Sequence, residues 1–204
     1  MSIETDASPA RRARTGTADK LVEAAASEFN ELGFSGTDSN RIARRAGFAP
    51  QTFYRWFEDK TEIFIKVYEL WQQQEVGVLR KLLAENASDA RVVQACVAHH
   101  KAFLIFRRSL RQLSAENDKV RAARANSRLK QLAQITHQAP GPGDDDTADL
   151  AATLLQVERL ADALAEGEFR DMGLDDKAAE DALAGLIRKL RARSQGGSKS
   201  ASNQ

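Results

Sequence analysis

Between Ser39 and Lys60 the chain gathers side chains suited to hold a polyanion and read its edges: SNRIARRAGFAPQTFYRWFEDK. Arg41, Arg44 and Arg45 fall at helical spacing; Arg41 and Arg45 read better as a solvated helix face, and Arg44 offers a guanidinium fork that matches phosphate oxygens. Asn40 and Gln51 carry amides that can pair with adenine, and Arg55 a guanidinium suited to guanine. Gln51, Thr52, Tyr54, Arg55 and Trp56 fall on the outer sides of one short helical segment. Other chemistry is sparse. Cys96 and His99 have C-x-x-H spacing, with His100 adjacent, and positions three apart share a helix face. A structural zinc site needs four ligands, and no second pair is visible. The expectation is no metal and no cofactor, with Cys96 in the core. No nucleophile elbow, Walker A, dinucleotide or H-E-x-x-H pattern occurs, so no catalytic residue is assigned and an enzyme is not expected.

Two short helices with a sharp turn must position the outer face. Ile42, Ala43 and Ala46 lie on the inner side of the first. Gly47 stops it, because glycine takes the left-handed conformation without steric cost. Pro50 suits the first turn of a second helix, in which Phe53 and Phe57 point inward together. This pattern predicts a helix-turn-helix.

The run Ile42-Ala43, Ala46-Gly47, Thr52-Phe53-Tyr54, Phe57 and Lys60, with Phe34 to Thr37 ahead of it, resembles the DNA-binding domain of TetR-family repressors over roughly residues 17 to 64. The resemblance implies phosphate contacts for Tyr54 and Lys60, a phosphate or thymine-methyl contact for Thr52, and a backbone contact for Trp56. It also implies a homodimer on a palindromic double-stranded DNA operator, and release by a small, mainly apolar effector. The chain departs from the family pattern at four places. Asp38 replaces a hydroxyl residue and would repel phosphate. Ala49 replaces a capping serine. Gln51 replaces glycine, and Phe48 a valine.

The remaining chain reads as helical. Long stretches of Ala, Leu, Glu, Arg and Gln favour helix, and alternating β-branched runs are nearly absent. The expected fold is all-α with about nine helices. It divides into a disordered basic arm at 1–16 carrying Arg11, Arg12 and Arg14, a helix-turn-helix domain at 17–64, an effector-binding and dimerisation body at 65–194, and a flexible tail at 195–204. Thr17 is expected to cap the first helix, with Leu21, Ala25, Phe29 and Leu32 on its inner face. One long helix is expected from Lys60 to about Glu85, with Leu70 and Val78 in its buried stripe. Further helices are expected at about 90–113, up to about 138, at about 147–169 and at about 175–193, with a loop at Ala139 to Asp146.

Trp71, His99, His100, Phe103 and Phe106 are candidates for the effector pocket. Leu154, Val157, Leu160 and Ala161, with Leu183, Leu186, Ile187 and Leu190, are candidates for the dimer interface. The cluster Arg107, Arg108 and Arg111 reads better as a solvated helix face than as an anion site. A formal net charge of +1 excludes a protein that coats nucleic acid by bulk charge, but not specific binding by clustered arginines. No apolar run reaches the ~20 residues of a membrane span, and a single cysteine fits a reducing compartment, so the cytoplasm is expected. A ligand-independent architectural DNA-binding protein on the same fold is the alternative, favoured if the body lacks a cavity of about 300 Å3 or more.

Overall fold

The computed structural model describes residues 9–136 and 145–200, with side chains from 16 to 136 and from 145 to 193. Every regular element among them is a helix. In order these are α1 (Pro9–Leu32), α2 (Ser39–Arg45), α3 (Pro50–Phe53), α4 (Lys60–Ala84), α5 (Asp89–Ala102), α6 (Leu104–Glu116), α7 (Asp118–Thr136), α8 (Asp145–Glu166), α9 (Glu168–Asp171) and α10 (Lys177–Ser200). The all-α expectation holds. None of these helices is long and apolar enough to cross a membrane.

Two apolar cores form. In the first, Leu21, Ala25 and Phe29 of α1 pack with Ile42 and Ala43 of α2, Phe53 of α3, and Ile63, Phe64 and Trp71 of α4. Phe106 and Leu110 of α6 and Val120 of α7 belong to the same core. Phe64 meets Phe29 at 5.0 Å and Phe106 at 4.9 Å between ring centroids. The helix-turn-helix head is therefore not closed at residue 64: α6 supplies part of its interior. The second core joins the end of α4 to α5, α8 and α10 through Leu82, Val93, Cys96, Ala161, Leu164 and Leu183. α4 runs through both, so one helix backbone spans head and body, and Gly77 does not interrupt it.

Several boundaries differ from the sequence reading, each for a local reason. α1 starts at Pro9 rather than Thr17. Proline is tolerated at a helix start, and Ala and Arg are good helix formers against which a lone Gly16 costs only about 1 kcal/mol. Residues 9–16 are thus helical; 1–8 lie outside the described residues. Leu32 is 39% exposed and Val78 42% exposed, so neither joins the inner stripe. The expected helix 90–113 breaks at Phe103, whose φ of −119° and ψ of 31° leave the helical region. No glycine or proline marks this break. Asn30 of α1 compensates for it, donating from Nδ2 to the Ala102 carbonyl at 2.7 Å.

α8 stops at Glu166 instead of Phe169 because Gly167 turns left-handed at φ 82°. α10 continues to Ser200, past the expected end at Arg193, so most of the predicted tail is helical; 201–204 lie outside the described residues, as does most of the predicted loop at 139–146.

Candidate nucleic-acid interface and effector cavity

The helix-turn-helix forms as its residues predict. Gly47 takes φ 80° and donates to the Arg44 carbonyl at 3.0 Å, closing α2. Asp38 caps α2 by accepting from the Arg41 amide at 2.8 Å, so its carboxylate is engaged by the backbone. Ala49 gives α3 no side-chain cap, as expected. α3 is only one turn. The chain continues it with tighter bonds, Arg55 N to Thr52 O at 3.3 Å and Trp56 N to Phe53 O at 2.9 Å.

Phe53 and Phe57 are buried, which turns their neighbours outward. Asn40, Arg44, Gln51 and Arg55 are exposed, Tyr54 is 59% exposed, and Thr52 and Trp56 are half-buried. Trp56 also packs against the first core.

The other two arginines are tied down. Glu28 of α1 is buried, and its carboxylate accepts from Thr37 Oγ1 at 2.8 Å, Arg41 Nε at 2.6 Å and Arg45 at 3.0 Å. Arg45 also pairs with Glu31. Burial raises the Glu28 pKa, but the hydrogen bonds from Thr37, Arg45 and Arg41 outweigh it and hold the carboxyl below its ordinary value. Arg41 and Arg45 thus brace α2 on α1 in place of the solvated face expected of them. Arg44 has no such partner among the described residues, so of the three its guanidinium is the one left for an anion.

Lys60 also has an internal task. Its ammonium donates to the carbonyls of Phe34 at 2.7 Å and Thr37 at 2.8 Å, and sits 4.1 Å above the Phe34 ring. Burial lowers its pKa. One of its three N–H groups remains for an outside oxygen.

In the body a cavity of about 280 Å3 opens between α4, α5, α7, α8 and α10. Of the candidates for an effector pocket, Trp71 and His100 line this cavity. His99 and Phe106 do not. His99 stacks on Trp71 at 5.0 Å and reaches the Trp71 carbonyl at 3.4 Å, while Phe106 is committed to the first core. Phe103 faces a second cavity of about 340 Å3, at the junction of α1 and α4, whose wall also includes Trp71.

The expected dimer residues are largely used inside the subunit. Ala161, Leu183 and Ile187 are in the second core, and Leu154, Val157, Ile187 and Leu190 form the cavity's apolar wall. Leu160 and Leu186 are half-buried. The cause is direct packing of α8 and α10 on each other and on α5, which consumes their apolar stripes.

A buried charge network floors the cavity. Asp162 accepts from His100 Nδ1 at 2.8 Å and from Arg107 Nε and Nη2 at 2.9 Å each, and it ion-pairs with Arg111 at 2.8 Å. Glu158 accepts from Arg107 at 3.3 Å, from Arg128 at 2.7 Å and from Arg124. His100 Nε2 meets Glu75 at 2.8 Å.

Both imidazole nitrogens therefore face carboxylates. Burial opposes the charge, yet the bonds with Asp162, Cys96 and Glu75 prevail and raise the His100 pKa well above the ordinary value. Burial likewise opposes ionisation of Glu158, but Arg107, Arg124 and Arg128 bring its pKa down to about 2. Arg107 is 1% exposed, which overturns the solvated reading of its cluster, though Arg108 remains exposed. The sequence reading missed Glu75, Glu158 and Asp162. A pattern was available: Glu158, Asp162 and Glu166 recur every four residues, opposite Arg107 and Arg111 and opposite Arg124 and Arg128 at the same step.

Residues 21–67 match the family model described as bacterial regulatory proteins, tetR family. The chain is 33% identical over 67 residues to an uncharacterized HTH-type transcriptional regulator, YdgC, of Bacillus subtilis (strain 168). That alignment spans 33% of this chain and about a third (34%) of the relative's length. In fold, the chain is similar to a crystal structure assigned to the TetR family from Mesorhizobium loti MAFF303099, with a TM-score of 0.60, 17% identity and coverage of 87% of this chain and 96% of that one. A transcriptional regulator from Rhodococcus sp. Rha1 gives a TM-score of 0.60 at 17% identity, over 85% and 95% of the two chains.

Proposed function

We propose that the chain is a TetR-family member by its N-terminal domain and a sequence-specific DNA-binding transcriptional regulator, a cytoplasmic homodimeric repressor released from a palindromic operator by a small, mainly apolar effector. The observation that carries this reading is the outward set Asn40, Arg44, Gln51, Tyr54 and Arg55, held on a braced helix-turn-helix and joined by α4 to a body with an apolar-walled cavity. Gln51 and Asn40 read adenine and Arg55 guanine, while Arg44, Tyr54, Thr52 and the remaining N–H of Lys60 hold phosphates. Dimerisation places two such heads one helical turn apart. With the inner stripes of α8 and α10 consumed, the pairing surface falls on their outer sides, where Leu155 is 45% exposed.

At about 280 Å3 the cavity falls just short of the ~300–1,000 Å3 usual for small-molecule sites and of the size that separates this reading from the architectural alternative, so its apolar wall rather than its volume supports an effector. It suits a compact effector with an apolar body. Such a ligand releases DNA only by binding the non-operator spacing of the heads better than the operator spacing.

The test is fluorescence anisotropy on DNA from just upstream of the gene and on a scrambled duplex, at two salt concentrations. Preference for the native duplex, weakened by Tyr54→Ala and Arg55→Ala, supports the regulator. Equal, strongly salt-dependent binding to both would favour the architectural alternative, and no binding to either would defeat the assignment.

A further inference from the structure

The inner end of the body cavity brings together a carboxylate, a thiol and an imidazole. Glu75 comes from α4, Cys96 and His100 from α5, and one donor atom from each lies within 4.8 Å of the other two. Cys96 and His100 are four residues apart and share a helix face. The convergent pair is therefore Cys96 with His100, not the Cys96 and His99 of the C-x-x-H spacing. All three line the cavity, and Cys96 and His100 are buried. Asp162 accepts from His100 Nδ1 at 2.8 Å, which aims Nε2 at Glu75. A carboxylate behind an imidazole is the arrangement that orients histidines for metal binding.

We propose that Glu75, Cys96 and His100 form a binding site for a divalent transition metal of the Zn2+ class, with the fourth coordination position open to the cavity. Thiolate, imidazole nitrogen and carboxylate oxygen are the donors this class selects, and three protein ligands with an open position mark a site that exchanges ligands rather than a closed structural one. The geometry needs small movements. Ligand bonds of about 2.0–2.3 Å in a tetrahedron separate donor atoms by about 3.3–3.8 Å. The His100–Glu75 contact would open slightly from 2.8 Å, and the thiol would close from within 4.8 Å.

The charges balance. With carboxylates at both ring nitrogens, His100 carries two N–H groups, and Cys96 carries its S–H. Binding M2+ displaces the Nε2 proton and the thiol proton to solvent. Two positive charges enter and two leave, so the net charge beside Asp162 and Arg107 is unchanged. Arg107 does not compete, because its guanidinium is held by two bonds to Asp162 and lies 4.5 Å from the Trp71 ring. The metal would link α4 to α5 on the helix that begins at Lys60 against the helix-turn-helix, which makes it a ligand able to set the position of α4.

The site stands or falls without reference to DNA. Tag-free full-length protein, reduced and kept from oxygen, is titrated with Co2+ and read by thiolate-to-metal charge-transfer and tetrahedral d–d absorption. The expected result is one equivalent per chain at micromolar metal, bleached by Zn2+, and weakened about tenfold or more in both Cys96→Ser and Glu75→Gln. Far-UV circular dichroism checks that each variant keeps its helices, and Glu75→Gln decides alone if Cys96→Ser does not fold. Absence of the charge-transfer band in the folded wild type, or undiminished affinity in Glu75→Gln, overturns the site.

Discussion

Replacing Asp162 by Asn leaves the side chain's shape almost intact and removes the charge on which four contacts converge. Asp162 is 2% exposed and holds His100, Arg107 and Arg111. Asn cannot accept from Arg107 at two charged oxygens or balance the imidazolium. Breaking a buried pair by removing one partner costs about 3–5 kcal/mol, because the other charge stays buried. For a chain of this size each kcal/mol lowers Tm by about 2–4 °C, so Asp162→Asn should melt about 6–20 °C below wild type. Arg107→Met should cost a similar amount by leaving Asp162 short of its bidentate partner. The double variant Arg107→Met with Asp162→Asn closes the cycle and removes both charges of the pair. It should cost less than the two single changes together, by about 2 kcal/mol or more. The assay is urea unfolding at pH 7, followed by far-UV circular dichroism at one fixed protein concentration so that association does not differ between variants. A loss under about 1 kcal/mol for Asp162→Asn, or strict additivity across the cycle, would refute the argument that this network is buried and mutually dependent.

Further outcomes follow from the same contacts. Glu158 titrates near 2 when folded against an ordinary 4.5, so its stabilisation is complete above about pH 4.5 and is lost as pH falls towards 2. Linkage puts that at about 3 kcal/mol, and Glu158→Gln should flatten the acid limb of a Tm-against-pH curve. Phe106→Ala empties a fully buried site between α6 and the head and should cost about 3–5 kcal/mol by chemical denaturation; under 1 kcal/mol would mean the head does not need α6. Lys60→Met removes two charge-assisted bonds to the Phe34 and Thr37 carbonyls and should lower stability by about 1–3 kcal/mol even without DNA, read by thermal melting. Arg44→Ala should leave Tm unchanged and reduce the salt slope of operator binding by about one phosphate contact, read by anisotropy across a salt series.

The helix-turn-helix was legible because its signals are local. Gly47 and Pro50 punctuate the backbone, and the period of Ile42, Ala43, Phe53 and Phe57 sets which face turns inward. The break at Phe103 was not legible, since no local residue demands it. It depends on Asn30, more than seventy positions away, accepting the task of satisfying Ala102. The stripes of α8 and α10 showed an apolar face but not what covers it. Sequence periodicity is the same for a stripe that meets α5 and one that meets a second subunit. Lys60 stands where the resemblance places it, but its two carbonyl partners lie in a loop whose path no spacing reveals. The charge network was hidden for a further reason: arginine and glutamate at four-residue steps usually line solvated helices, and only tertiary packing decides which of them are buried.

Trp71 connects the cavity to the head. It lines the cavity, and it is also part of the core that holds Phe29, Phe53, Phe64 and Phe106. A ligand that presses on Trp71 therefore acts on the head's interior without an intermediate hinge. Close-packed interiors do not yield by small uniform compression; side chains and helices exchange one packing for another. α4 offers the element that would be exchanged, since its first half sits in the head core and its last turn in the second core. Arg107 adds a constraint from the opposite side, lying over the Trp71 ring while fixed to Asp162. Movement of Trp71 must then disturb either the aromatic packing around Phe64 or the Asp162 network, so the energy of such a movement is set by the cheaper of the two. Breaking buried charge pairs costs about 3–5 kcal/mol, whereas volume-conserving repacking of apolar side chains usually costs under about 1.5 kcal/mol. The aromatic side should give way first, and that side is continuous with the helix-turn-helix.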